Sequence, residues 1–286
     1  MSVSPTRNIA ICGLVRNCAK TVRADIQLLA KAFAPHGQLR WFLVESDSTD
    51  KTLARLEQLK AEIPNFDYVS LGKLDETVPE RTHRIAVCRN TYLDHLATLP
   101  EGSVDYVVMA DLDGLNTKLT ADGVASCWTR DDWDVCAANQ DGPYYDIYAL
   151  RHPIWCPTDC WAQFGFLEQY RPNKTRNIYT AVLSRMLRIP PDSDWIEVHS
   201  AFGGLAIYRW ASIGAARYTG VLADGTVICE HVPMHEAMRA NGARIYINPA
   251  LINAGYTGHS GTMKPWRRAR RNIRHFIKSP IRLLTS

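Results

Sequence analysis

The segment 107–113, VVMADLD, constrains this chain more than any other, because an apolar run ends abruptly in two carboxylates separated by one leucine. Its five apolar residues read as a buried strand of a parallel sheet. The carboxyl end of such a strand delivers Asp111 and Asp113 to the crevice where open α/β sheets hold their ligands. Two carboxylates that close repel each other unless a cation lies between them or one is protonated. Mg²⁺ or Mn²⁺ carrying a diphosphate would satisfy both, since these ions prefer oxygen ligands and are held by one or two carboxylates plus substrate. The same stretch, Asp-Leu-Asp-Gly-Leu-Asn, is also an ordinary turn sequence, because Asp, Gly and Asn are turn formers.

With 286 residues, 46% of them apolar and 22% charged, the chain can bury a substantial core, and one large domain is expected. Eight cysteines are scattered without CxxC pairs, mostly inside apolar runs, which points to buried free thiols rather than a disulfide framework. Cys156 and Cys160, with Asp159 between them, lack the further ligands a zinc site needs. The opening segment, one arginine ahead of a short apolar run, is too short and too weakly flanked for a secretory signal. No stretch reaches the roughly 18 apolar residues of a membrane span, so a cytoplasmic location is expected. The net charge of +4 conceals an asymmetry: residues 264–286 hold eight Lys or Arg and no acid, so the remainder is acidic.

Read forward, residues 8–15 form a first strand and 20–34 an amphipathic helix, with Val22, Ile26, Leu29 and Phe33 at helical spacing. Residues 39–44 form a second strand and 52–61 a helix that Ser48 or Thr49 would cap. A short strand at 68–69, a helix over 84–97 and the strand into Asp111 complete four strand–helix alternations. That pattern predicts a parallel sheet built from right-handed crossovers. The first 113 residues therefore resemble a nucleotide-binding half, although neither GxGxxG nor a Walker lysine motif is present. Glu45, Asp47 and Asp50 follow the second strand on the edge shared with Asp111. A carboxylate there could accept hydrogen bonds from a base or a ribose hydroxyl, while Ser48, Thr49 and Asp50 are explained equally well by capping and turn formation.

The later chain offers polar and aromatic residues suited to a sugar. After a strand at 134–138, a Gly-Pro turn is flanked by Asp141, Tyr144, Tyr145 and Asp146, rings for a sugar's C–H face and carboxylates for its hydroxyls. His199, Ser200, Gly203 and Gly204 follow, the glycines allowing close backbone approach either to a ligand or within a tight turn before the strand 205–208. A strand is expected to enter Cys229, Glu230 and His231, followed by a helix closed by Asn241-Gly242. His231 and His235, at i and i+4, could pair on a metal or simply be neutral. In the tail, Trp266, Ala269, Ile273, Phe276 and Ile277 recur at helical spacing among arginines, the pattern of a helix lying on an anionic membrane surface. The acidic body and the lack of an RNA-binding motif argue against nucleic acid.

In order, NIAICGLVRN, VESDSTDKT, ERTHRIAVCRN and VVMADLDG resemble the glycosyltransferase A fold. DWDVCAANQDGPYYDIYALR and VHSAFGGLAIY are in turn similar to the capsule-associated α-mannosyltransferases and their bacterial relatives. The resemblance spans residues 8–259. It implies a single-domain α/β fold: a mostly parallel, Rossmann-like sheet flanked by helices, with a glycosyltransferase domain over 1–263. Within that domain 8–113 would bind the nucleotide-sugar and 114–263 the acceptor, and 264–286 would be the basic tail. It implies donor contacts from Arg16, Asn17, Glu45, Asp47, Arg84, Arg89 and Asp111. Acceptor contacts would come from Asp141, Tyr144, Tyr145, Asp146, His199, Gly203 and Gly204. A Mn²⁺ or Mg²⁺ ion would be held by Asp111, Asp113 and His259.

Glu230 matches the first acid of the family's xED element, but His231 replaces the second, which is generally the base in inverting members. Either Glu230 deprotonates the acceptor or the enzyme retains configuration, and the resemblance to α-mannosyltransferases favours retention. The implied activity is transfer of a hexose, mannose favoured, from a GDP- or UDP-sugar to a glycan or lipid-linked glycan in cell-surface polysaccharide synthesis, at the inner face of the membrane. Two other classes share features of the sequence. A haloacid-dehalogenase phosphohydrolase also has Asp-x-Asp-Gly after an apolar strand, but Leu115 stands where that motif wants Thr or Val. A non-catalytic glycan- or nucleotide-binding module would use Asp113 structurally.

Overall fold

The computed structural model describes residues 7–258 and residue 260. His259 and the tail 264–286, to which a metal contact and a membrane contact were ascribed, lie outside the described residues. Among the described residues, eight strands form one sheet: β1 (Arg7–Val15), β2 (Gly37–Glu45), β3 (Phe66–Ser70), β4 (Tyr106–Asp111), β5 (Val135–Gln140), β6 (Ile196–Val198), β7 (Leu205–Arg209) and β8 (Ile245–Ala254). The helices are α1 (Val22–Phe33), α2 (Thr52–Glu62), α3 (Arg81–Ala97), α4 (Ala121–Ala125), α5 (Cys160–Tyr170), α6 (Lys174–Ala181), α7 (Trp210–Ile213) and α8 (His231–Ala240).

The strand order is β3-β2-β1-β4-β7-β5-β8-β6. β3, β2, β1 and β4 run parallel, as the strand–helix alternation predicts. β7 then threads antiparallel between β4 and β5, β5 and β8 are parallel, and β6 closes the edge antiparallel to β8. Side chains alternate across the central strands into two cores. Ala10, Cys12, Val107 and Met109 face α3 and α8, while Ile9, Ile11, Val108 and Ala110 face α1 and α2. This double coverage is why 107–110 is apolar without alternation. All eight cysteines are buried free thiols.

Several local expectations are corrected. No strand enters Glu230: the segment before it is a loop with one Val221–Val227 bridge, and Glu230 is the residue immediately before α8. The start of α2 is held by Asp50, whose Oδ1 accepts the Thr52 N–H at 2.9 Å, while Ser48 Oγ accepts the Asn17 N–H at 3.0 Å. α3 begins at Arg81, one turn earlier than its apolar pattern, because Thr82 is buried there and its hydroxyl donates to the Gly220 carbonyl. Gly242, with φ +89, ends α8 as predicted.

Candidate active site

Register brings the polar cluster together. β1 pairs Leu14 with Asp111 and Val15 with Glu45, so the carboxyl ends of β1, β2 and β4 share one edge. Beside that edge lies a cleft of about 300 Å³ that Arg16, Asp47, Arg84, Arg89, Asp111 and Asp113 line together. Ser46, Arg81 and Ile85 also line it and were missed from sequence. Arg81 carried a signal, since it precedes Arg84 by three residues and so falls on the same helical face. A larger groove of about 890 Å³ opens at the opposite edge, beside Arg7, Tyr106 and Arg209. There Arg7 is stacked on Trp128 and Arg209 on Tyr106 and Trp133, and β1 and β4 present their amino ends, whereas the smaller cleft lies at the carboxyl ends where open α/β sheets hold their ligands.

Arg89 is the centre of the charge arrangement. Only 4% exposed, it donates from Nε to Glu230 Oε1 at 3.0 Å and places Nη2 3.6 Å from Asp111 Oδ1. The faces of Phe202 and Tyr218 lie 4.8 and 5.5 Å from its guanidinium. Asp111 is pushed up to about 7 by its withdrawal from water and by the charges of Asp113, Asp146 and Glu230, which Arg89 only partly offsets. For Asp47, burial is outweighed by hydrogen bonds from the Asp75 N–H and Ser46 and by Arg16, so its carboxyl is lowered. Arg84 donates to the carbonyls of Val78 and Pro79 at 2.8 and 2.7 Å, which holds the 78–80 loop beside the cleft.

The remaining predicted residues divide sharply. Tyr145 and Asp146 reach the cluster: the Tyr145 hydroxyl is pushed up by burial and by Asp111, and Asp146 Oδ2 accepts the Gly203 N–H at 2.9 Å. Gly203 and Gly204 have φ +71 and +83, and Gly204 O accepts the Asp111 N–H at 2.9 Å. Their close approach is to protein, since a Cβ on Gly203 would stand 2.7 Å from the Ala138 carbonyl. Glu45 is buried, with Oε1 accepting the Ser48 N–H and Oε2 the Ser70 hydroxyl, so it fastens the loop instead of facing the cleft. Asn17 does the same through the Thr49 N–H at 2.8 Å. Tyr144 is fully buried in the core, edge-on to Trp155. Asp141 pairs with Lys118 and Arg188, and exposed His199 follows β6, outside the cluster.

Beneath Glu230 runs a buried polar chain that spacing alone did not reveal. His231 Nε2 stands 3.5 Å from Glu230 Oε1, and its Nδ1 is 3.4 Å from the Tyr208 hydroxyl. Tyr208 in turn lies 2.9 Å from His235 Nε2, whose Nδ1 is 2.9 Å from Ser200 Oγ. Burial and the nearby Arg89 push His231 well below its ordinary value and His235 down to about 3, so both are neutral. Hydrogen bonding to Tyr208 and Ser200 occupies them as structural groups, not as a metal pair.

A further acid supports the Asp-x-Asp-Gly turn from below. Asp25 is buried, accepts the Gly114 N–H at 3.1 Å, and is pushed up to about 6 by burial, with Asp113 adding to the rise. Its signal was a carboxylate in the apolar stripe of α1, between Val22 and Ile26. Because the folded pKa lies above the unfolded one, this contribution is full at low pH and is lost as pH rises through about 6. Asp25→Asn keeps an oxygen for Gly114 and removes the charge. It is expected to stabilise the fold by about 1 kcal/mol more at pH 8 than at pH 5, read from urea unfolding. Equal effects at both values would mean that Asp25 carries no penalty as an anion.

The donor set suits a hard divalent ion. Asp111 and Asp113 supply carboxylate oxygens in a site with surplus negative charge, and among the described residues no group of three His, Cys, Asp or Glu forms a complete protein cage. Two carboxylates with phosphate oxygens completing the shell is the usual arrangement for Mg²⁺ or Mn²⁺.

Neither a protein-family profile nor a curated protein sequence matches this chain. Solved structures do match its fold. A mannosyltransferase from Pyrobaculum calidifontis, in complex with GDP-Man and Mn²⁺, is 15% identical with a TM-score of 0.50, over 97% of this chain and 66% of that one. The fold is glycosyltransferase A. S. aureus TarS residues 1–349 align at 15% identity and TM-score 0.45, over 84% of this chain and 57% of that one. Glucosyl-3-phosphoglycerate synthase from Mycobacterium tuberculosis, in complex with UDP, aligns at 14% and 0.41, over 87% and 69%. The chain thus spans about two thirds of the first of these structures and just over half of the second.

Proposed function

We propose that this chain is a metal-dependent glycosyltransferase that moves a hexose from a nucleoside-diphosphate sugar to a glycan or lipid-linked glycan. The observation that carries the proposal is the meeting of Asp111 and Asp113 with Arg16, Arg84 and Arg89 around one cleft at the strand ends. Carboxylates opposite guanidiniums suit a diphosphate and its cation together, each sign of charge meeting its complement. Asp111 and Asp113 would hold Mn²⁺ or Mg²⁺. When bound, that ion supplies Lewis-acid stabilisation of the departing nucleoside diphosphate. Arg84 and Arg16, which line the same cleft, would orient the phosphates, and Tyr145 and Asp146 would meet the sugar or its acceptor.

Mannose is favoured by the sequence resemblance, and the Pyrobaculum calidifontis structure of like fold is a complex with GDP-Man and Mn²⁺. Glu230 supports a retaining course. It is buried and its Oε1 is already bound by Arg89, which suits it to fixing that arginine more than to taking an acceptor proton. No helix among the described residues is long and apolar enough to cross a membrane. Attachment to the inner face of a membrane through the basic tail, in cell-surface polysaccharide synthesis, remains part of the proposal.

The test is a thermal-shift screen of GDP-mannose, UDP-glucose and UDP-galactose with their nucleoside diphosphates, each with Mn²⁺ or with EDTA. A ligand at a hundred times its Kd stabilises the fold by about 2.7 kcal/mol, a shift of roughly 2–4 °C per kcal/mol at this size. One base is expected to shift the transition only with Mn²⁺. No metal-dependent shift with any nucleotide would overturn the transferase and leave a non-catalytic binding module.

A further inference from the structure

Helices α5 and α6 stand on an excursion between β5 and β6 whose two feet meet at the catalytic edge. There Tyr144 N–H donates to the Leu187 carbonyl and Asn139 donates to the Ile189 carbonyl. α5 reverses the usual distribution of a surface helix. Its six exposed residues are Trp161, Ala162, Gly165, Phe166, Gln169 and Tyr170, none of them charged. Trp161 is 47% exposed, Phe166 61% and Tyr170 70%. Two of its polar side chains, half-buried, are tied to neighbouring elements instead: Gln163 accepts from Arg185 and Glu168 from Asn177. A solvated helix ordinarily turns its charges outward, and an exposed aromatic patch marks a surface made to be covered.

The cover is identified by charge and length. Tyr179 on α6 is a further exposed aromatic residue, Lys174 and Arg176 on the same helix are exposed with no ion pair among the described residues, and half-buried Arg171 between the two helices donates to Asn177. A two-fold contact with a second copy would set these exposed cations against their own copies. An anionic bilayer interface instead accepts both features, aromatic rings at headgroup depth and cations at the phosphates. At 11 residues α5 is about 16 Å long, half of what a spanning helix needs, so it lies along the surface. We propose that the α5–α6 hairpin seats the catalytic edge on an anionic membrane, apart from any contact made by the tail and regardless of what the cleft binds.

The full chain, tail intact, is floated with vesicles of phosphatidylcholine alone or with one third phosphatidylglycerol. Phe166→Glu with Tyr170→Glu is expected to lower partitioning into the anionic vesicles at least about tenfold with an unchanged melting temperature, and Phe166→Trp to retain it. Lys174→Glu with Arg176→Glu is expected to remove most of the preference for anionic lipid. Undiminished binding of the first double variant would overturn the proposal, as would failure of the native chain to bind either vesicle. A dimer that the same double variant splits, with vesicle binding unchanged, would assign the face to a protein contact and overturn it too.

Discussion

Asp113→Ala is expected to abolish the Mn²⁺-dependent stabilisation by nucleoside diphosphate and to lower sugar transfer about a thousandfold, the equivalent of about 4 kcal/mol of lost Lewis-acid support. The ligand-free protein should be no less stable. Asp113 is exposed, and its charge raises the carboxyls of both Asp111 and Asp25, so removing it relieves repulsion. The unusual combination is lost ligand response with an equal or higher melting temperature for the apo chain. Calorimetry with EDTA, calorimetry with Mn²⁺ and nucleotide, and a transfer assay read the three effects. A variant that still responds to nucleotide through Mn²⁺ would remove Asp113 from the metal site, and a clear loss of apo stability would make its role structural.

Arg89→Met carries the largest expected effect on stability, a loss of about 3–5 kcal/mol, as is usual when one partner of a buried ion pair is deleted. The guanidinium is shared between Glu230 and Asp111, and methionine fills much of the space between Phe202 and Tyr218 without offsetting either charge. Adding Glu230→Gln should restore part of the loss, since the stranded carboxylate is the main cause. Mn²⁺ should stabilise Arg89→Met more than the native chain, because a cation at Asp111 replaces some of the missing positive charge. Urea unfolding of the single and double variants, with and without Mn²⁺, gives the comparison. Additive effects of the two substitutions would contradict the coupling between Arg89 and Glu230.

The parallel part of the sheet was legible because strands covered on both faces need continuous apolar runs, and 9–15, 41–44 and 107–110 have them. The acidic turn and the two helix arginines were legible for a related reason: a strand's carboxyl end and the start of the next helix must meet at the same edge. Side chains whose meaning depends on distant backbone partners were not. Glu45 looked open to a ligand because Ser70, which occupies one of its oxygens, is 25 residues away. Tyr144 and Tyr145 have the same chemistry in sequence, yet adjacent positions here point one ring into the core and the other towards Asp111. The position of β7 depends on antiparallel pairing with two strands at once, for which a local pattern carries no sign.

That strand also limits how the molecule can move. β7 is bonded to β4 of the parallel N-terminal part of the sheet and to β5 of its C-terminal part, and the Asp111 N–H is bonded to the Gly204 carbonyl just before β7 begins. The two parts of the sheet therefore share one plate, with no seam among the described residues along which they could swing apart like jaws. Any gate over the cleft has to be made from loops at the plate's edge, such as the turn around 72–80 that Asp47 and Arg84 hold in place.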